Sequence, residues 1–231
     1  MHQISNYVYA QDELLKMEIP TARLPNPYHD FPYMLIEGML TPDECRAITQ
    51  SALNDDESVD AELRGRSLDT AIRKTDIHTL SPYYRKIYDS RYEKIKKKIE
   101  EFFALSLTRS TDVQVLGYES GSFYLRHSDD SSELRDREGK TIGFCPVAQE
   151  RKLTTVLFTT SYTPNPTDTD HFSGGELLFN YLCDVNGNTI ALRPQAGDMV
   201  VFLSNPYFSH EVLPVKKGFR LSLVQWHNAL L

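Results

Sequence analysis

Three side chains in the C-terminal half of this chain have the types and spacing to hold one metal ion. His127 and Asp129 flank Ser128, just after a run at 123–126 that reads as a strand. Alternate residues of an extended chain point the same way, so this imidazole and this carboxylate can reach one ion together. His210 follows much later, at the start of another predicted strand. Two imidazoles and one carboxylate form a facial triad that leaves adjacent coordination positions open. The set suits iron(II) in oxidative chemistry, and zinc in a hydrolase can use the same ligands.

Arg220 separates these readings. It lies in Gly218-Phe219-Arg220-Leu221-Ser222, and a hairpin joining 211–214 to 220–226 would set its guanidinium deeper than the metal. There it can grip a carboxylate through two parallel charge-assisted hydrogen bonds, with Ser222 facing the same side. A dicarboxylate with one end on the metal and the other on Arg220 is what 2-oxoglutarate would be. Tyr118, on the strand leading to His127, is a further donor for that distal carboxylate. A zinc hydrolase has no evident use for Arg220.

The elements that must position these residues fall into two halves. Residues 1–30 are polar, carry Pro20, Pro25 and Pro27, and read as an extended lead-in. A single domain is expected over 31–231. Its helical part spans about 40–105 and its β part about 110–228. A short strand is expected at 31–36. Thr41-Pro42-Asp43-Glu44 then combines an N-cap, a first-turn proline and a capping box. Cys45, Ile48, Ala52 and Leu53 would form that helix's buried face.

A loop is expected at 54–81, then a second helix at 83–104. Tyr84, Ile87, Tyr88, Ile95, Ile99, Phe102 and Phe103 recur there at helical spacing and read as core. Short β-rich runs follow at 113–118, 123–126, 153–159, 176–180, 190–194, 199–202, 211–214 and 220–226. Gly121, Gly174-Gly175, Asn186-Gly187, Gly197 and Gly218 punctuate them. The class is α+β, with the strands closed as a double-sheet jelly roll, a double-stranded β-helix, and the helices packed on one sheet. A non-catalytic jelly-roll binding module remains an alternative beside the zinc hydrolase.

Taken in order, several segments resemble the prolyl-4-hydroxylase-like branch of the 2-oxoglutarate/iron(II) dioxygenases. They are Tyr118, Tyr124-Leu125-Arg126-His127-Ser128-Asp129, Arg151-Lys152-Leu153-Thr154, Gly174-Gly175-Glu176-Leu177, Gly197-Asp198-Met199 and His210-Glu211-Val212 through Gly218-Phe219-Arg220 to Trp226. The resemblance covers about 31–228, with the N-terminal third matching only in helix pattern. It implies iron(II) on His127, Asp129 and His210, and 2-oxoglutarate on Arg220 with Tyr118. It further implies dioxygen as co-substrate, ascorbate as a stimulant, and hydroxylation of an amino-acid-like small molecule or a peptidyl residue. Asp129 stands where related halogenases carry a small residue, which favours hydroxylation.

Composition narrows the partners. A net charge of −7 argues against a nucleic-acid binder. The basic run Lys94, Lys96, Lys97 and Lys98 sits among glutamates as a solvated helix face. No apolar run is long enough to cross a membrane. No secretory signal is evident, and the three cysteines share no metal-like spacing, so a cytoplasmic location is expected. His2, His29, His78 and His171 read as surface or core residues. His227 would point opposite to Trp226, Tyr124 could face site or core, and Asp130 points away from Asp129. Two long connections, 54–81 with Arg64, Arg66, Arg73 and Lys74, and 130–149 with Arg135, Arg137 and Lys140, are candidates to cover the site and grip a substrate carboxylate.

Overall fold

The computed structural model describes residues 1–21, 23–54, 59–60 and 72–230. Arg64 and Arg66 therefore lie outside the described residues. The first long helix, Pro42–Leu53, starts as its cap dictates. Thr41 Oγ1 accepts from the Glu44 amide at 3.3 Å, and Glu44 returns a carboxylate to the Thr41 amide at 2.8 Å. Its buried face is Cys45, Ile48, Thr49 and Ala52, whereas Leu53, expected inside, is 42% exposed. Thr49 takes that place because its hydroxyl bonds Thr159 Oγ1 at 3.0 Å across the interface. The second long helix, Pro82–Phe103, is capped by Ser81 and stops at Ala104 in the left-handed conformation.

Both helices lie against one sheet. Its strands run in the order Met34–Ile36, Met199–Leu203, Arg151–Phe158, Arg220–Leu230, Gln114–Tyr118, Asp76–His78 and Val59–Asp60, with Ser106–Ser110 on the far end of the terminal strand. Tyr88 donates to Gln225 Oε1 at 3.0 Å, and the Tyr92 ring stacks on His227 at 4.9 Å. Leu153, Leu157, Val200, Phe202, Leu221 and Leu223 are completely buried in this sheet. Each buried side chain of that size contributes about 1.5–3 kcal/mol. This makes the sheet a stiff floor.

The opposing sheet runs His2–Gln3, Tyr9–Ala10, Leu177–Cys183, His210–Val212, Phe123–His127 and Arg73–Lys74, with Thr189–Leu192 flanking Leu177–Cys183. The fold is thus the expected jelly roll with its helices on one sheet. Residues 1–30 are more than a lead-in. His2–Gln3 and Tyr9–Ala10 pair as an edge hairpin, and Val8, Ala10 and Leu14 are fully buried. Alternating burial along 7–10 carries that segment into the sheet.

Two further segments depart from the sequence reading. Residues 211–214 and 220–226 do not form a hairpin, because His210–Val212 belongs to one sheet and Arg220–Leu230 to the other. Val215–Gly218 bridges them by pairing with His171–Gly174. Gly218 allows this at φ +84°, since a Cβ there would stand 2.1 Å from the His171 carbonyl oxygen. The connection 130–149 holds a hairpin of its own, Ser131–Arg135 with Thr141–Pro146. Glu133 ties it to Arg126 and Arg135. No helix among the described residues is long and apolar enough to cross a membrane.

Candidate active site

A cavity lies between the two sheets, lined in part by His127, Asp129, His210, Arg220, Tyr118 and Trp226. His210 and His127 face each other as paired residues of adjacent strands. The donor atoms of His127, Asp129 and His210 all lie within 4.8 Å of one another. Asp129 spans the pair, with one oxygen 3.8 Å from His127 Nε2 and the other 4.0 Å from His210 Nε2.

Each ligand is held from behind. His127 Nδ1 bonds the Leu125 carbonyl at 2.9 Å, and His210 Nδ1 bonds the Phe208 carbonyl at 2.9 Å. A carbonyl only accepts, so each Nδ1 carries the proton and each Nε2 presents its lone pair inward. Thr154 donates to Asp129 Oδ2 at 2.6 Å, and Arg151 donates to the Asp129 carbonyl at 3.1 Å. Burial first, then the neighbouring His210, holds the His127 pKa well below its ordinary value, so the ring is neutral and ready to ligate at pH 7. Tyr124 stacks on His127 with ring centroids 3.7 Å apart, and Arg73 lies over the Tyr124 ring at 5.0 Å.

The floor of the cavity is Arg220, 1% exposed. Its Nε donates to the Gly175 carbonyl at 2.9 Å and its Nη1 to Ser222 Oγ at 3.1 Å. The guanidinium is flanked by the rings of Tyr118 at 4.8 Å and Phe158 at 5.0 Å, and Tyr118 is its cross-strand partner. Gly175, at φ +65°, makes room: a Cβ there would stand 3.0 Å from Arg220 Cδ. Burial lowers the arginine's pKa, but a guanidinium starts so high that it remains a cation. None of the ion pairs among the described residues involves Arg220, although several surface arginines have carboxylate partners. A buried cation without a counter-ion carries a large desolvation cost, which an anionic ligand would relieve.

Residues 113–228, half of the chain, match the model of the 2OG-Fe(II) oxygenase superfamily. The chain belongs to that superfamily. Its co-substrates are accordingly 2-oxoglutarate and dioxygen, its metal is iron(II), and the clustered His-Asp-His donors fit that ion. Among proteins similar to this oxygenase is a probable prolyl 4-hydroxylase 10 of Arabidopsis thaliana, 25% identical over 222 residues, or 86% of this chain and 66% of that protein. This chain therefore spans about two thirds of that relative's length. A solved prolyl-4-hydroxylase of Pseudomonas putida is 26% identical, with a TM-score of 0.60, over 85% of this chain and 91% of that one. The fold is shared with a Trichoplax adhaerens prolyl hydroxylase solved with a hypoxia inducible factor peptide, 18% identical and TM-score 0.61, over 85% of this chain and 83% of that one.

All six residues singled out in the sequence line this one cavity of the oxygenase: His127, Asp129, His210, Arg220, Tyr118 and Ser222. Tyr124 also faces it. His227 is on the far side of the sheet, bonded to Tyr92, Ser110 and Thr155. Asp130 turns away to Ser128 and Ser131. Thr154, Arg151 and Gly175 were legible only as parts of a motif, without roles. The support of each histidine by a carbonyl two residues earlier leaves no side-chain signal in a sequence.

Proposed function

We propose that this oxygenase hydroxylates an unactivated C–H bond of an amino-acid-like small molecule or a peptidyl residue of prolyl type. In this reading His127, Asp129 and His210 hold the iron(II). Arg220, with Ser222 and Tyr118, holds the distal carboxylate of 2-oxoglutarate. The observation that carries it is the pairing, in one cavity, of three converging metal donors with a buried arginine that lacks a counter-ion. A hydrolytic zinc site would have no use for the second feature. The similarity to prolyl 4-hydroxylases supports the substrate type.

Bound iron(II) with 2-oxoglutarate and dioxygen supplies the oxidation, the co-substrate leaving as succinate and carbon dioxide. The protein's own residues do the rest. The Leu125 and Phe208 carbonyls fix both imidazole tautomers, and Thr154 fixes the carboxylate plane of Asp129. Arg220 lines the same cavity as the metal ligands and would receive the distal carboxylate there, and the rings of Tyr118 and Phe158 exclude water around it. Tyr124 and Trp226 line the cavity from the two sheets, where a substrate ring would rest. We assign 31–231, with the N-terminal hairpin docked on its sheet, to one catalytic unit, ascorbate as a stimulant, and a reducing, cytoplasmic setting consistent with free Cys45, Cys145 and Cys183.

The test is succinate release by the purified protein with iron(II), 2-oxoglutarate and ascorbate, across free proline, prolyl peptides and cell extract. Mass spectrometry should find a product heavier by one oxygen atom. Absence of 2-oxoglutarate-dependent succinate under all these conditions would overturn the reading.

A further inference from the structure

A second arginine faces the cavity without a carboxylate partner. Arg73 sits on the edge strand Arg73–Lys74, opposite Tyr124 of the iron-binding strand. Its guanidinium lies over Tyr124, and Tyr124 in turn lies on the His127 ring. The stack places a cation one aromatic layer from a metal ligand, on the opposing sheet from Arg220. Arg73 lines both the iron cavity and a surface groove that continues past Ile77 and Arg85, so it stands where the two meet.

Arg73 Nε and Nη2 are buried and have no hydrogen-bond partner. None of the ion pairs among the described residues includes Arg73, whereas Arg85, Arg91, Arg126 and Arg135 each meet a carboxylate. Trp226 Nε1 is a third buried donor without a partner, and Trp226 lines the same cavity and the same groove. Buried donors left unpaired are rare because each costs about 1–3 kcal/mol, so three of them at one junction point to a ligand that accepts. A neutral carbonyl would satisfy a hydrogen bond but leave the cation uncompensated. A carboxylate does both, and its two oxygens match the Nε–Nη2 edge of a guanidinium.

We infer that Arg73 is a second carboxylate anchor, reserved for the primary substrate, so that the oxidised molecule carries an acidic group on the groove side of its reacting carbon. This rests on the oxygenase reading of the same cavity. The site then holds two anions with the reacting centre between them, 2-oxoglutarate on Arg220 and the substrate carboxylate on Arg73. Trp226 Nε1 donates to the same substrate. The carboxylate has two sources, the α-carboxylate of a free amino-acid-like compound or an acidic side chain in a peptide, and paired probes tell them apart.

Trp226 is the chain's single tryptophan, so its fluorescence reports directly on the junction. The full-length protein, loaded anaerobically with iron(II) and saturating 2-oxoglutarate, is titrated with acid–amide pairs. The free-carboxylate arm uses acetate against acetamide and N-acetyl-L-proline against its amide. The peptide arm uses acetyl-Pro-Asp-amide against acetyl-Pro-Asn-amide. The expected result is binding at least about tenfold tighter for the acid of one arm, the arm naming the source. Arg73→Gln should bring that pair to near equality, and Arg73→Lys should restore part of the preference, with comparable thermal melting of both variants showing that they fold. A wild-type response no greater for acids than for amides, including no response to either, overturns the assignment, as does a preference that survives in Arg73→Gln. Succinate release by the wild-type protein, run in parallel, keeps a failure of the oxygenase reading separate from a failure of this one.

Discussion

The two ends of the cavity are built to different standards of closure. At the metal end, Asp129 and His210 are buried, but the His127 side chain keeps 20% of its surface exposed where it stacks on Tyr124 beside a groove open to solvent. At the other end, Arg220 keeps 1% and is boxed by Tyr118, Phe158, the Gly175 carbonyl and Ser222. The metal donors come from short strands and a turn of the sheet opposite the helices. Arg220 comes from the long terminal strand at the centre of the helix-backed sheet. In the proposed reading, a centre that admits dioxygen and a substrate needs access, whereas an anchor for one fixed co-substrate gains strength from exclusion of water. Placing the two on different sheets allows one end to adapt without loosening the other.

The largest effect should follow from breaking the open end. His127→Ala, Asp129→Ala or His210→Ala each removes one of three protein donors, and turnover should fall to background with iron lost from the purified protein. Metal analysis after anaerobic reconstitution checks it. Full iron content and wild-type turnover in all three variants would remove the triad from the chemistry.

The closed end should fail differently. Arg220→Ala should leave iron content near wild type but raise the 2-oxoglutarate requirement by an amount on the order of 2–5 kcal/mol. Arg220→Lys should recover part of it, because charge returns without the planar fork. A titration of succinate release against 2-oxoglutarate separates the outcomes, and an unchanged requirement in the alanine variant would place the anchor elsewhere.

How much of this contrast the sequence carried depends on the range of the interaction. His127 and Asp129 were legible because a His-x-Asp pair is local, and Thr41 with Glu44 because a capping box spans one turn. Arg220 was legible as a candidate for the cavity, but its route there was not. Residues 211–214 and 220–226 looked like hairpin arms, and only the pairing of Val215–Gly218 with His171–Gly174 shows the chain crossing between sheets. Long-range pairings of that kind leave no periodic signal. The edge hairpin at the N-terminus escaped notice for the same reason, since its partner Leu177–Cys183 lies far along the chain. Arg73 was one of several arginines in a polar segment until its pairing with Tyr124 singled it out.

A smaller effect should come from the support behind the metal. Thr154 donates to Asp129 Oδ2 and also meets Ser204 Oγ at 2.9 Å. Thr154→Val keeps the shape of the side chain and removes the donor. Iron affinity should fall by about 10–100-fold, the usual cost of losing such support, with the 2-oxoglutarate requirement at saturating iron little changed. A variant that instead weakens 2-oxoglutarate binding while holding iron normally would show that the two ends are coupled through Arg151–Phe158.

The mildest prediction tests the rigid sheet behind Arg220. His227, fully buried on the helix side, bonds Tyr92, Ser110 and Thr155, and burial lowers its pKa to about 3 against an ordinary 6.5. In the unfolded chain this imidazole takes up a proton as pH falls through its ordinary value, whereas in the folded chain it stays neutral until near 3. The unfolded state therefore binds more protons across that window, and folding stability is complete above it and lost progressively as pH falls through it. The slope from one such histidine is about 1.4 kcal/mol per pH unit at its steepest. His227→Gln retains hydrogen bonding but cannot titrate, so the metal-free variant should lose stability between pH 6.5 and 4 less steeply than the metal-free wild type, by about one proton's worth. Urea unfolding at several pH values measures both slopes. Parallel slopes would mean that His227 is protonated within the fold, and the sheet beneath Arg220 would then be less tightly closed than its burial implies.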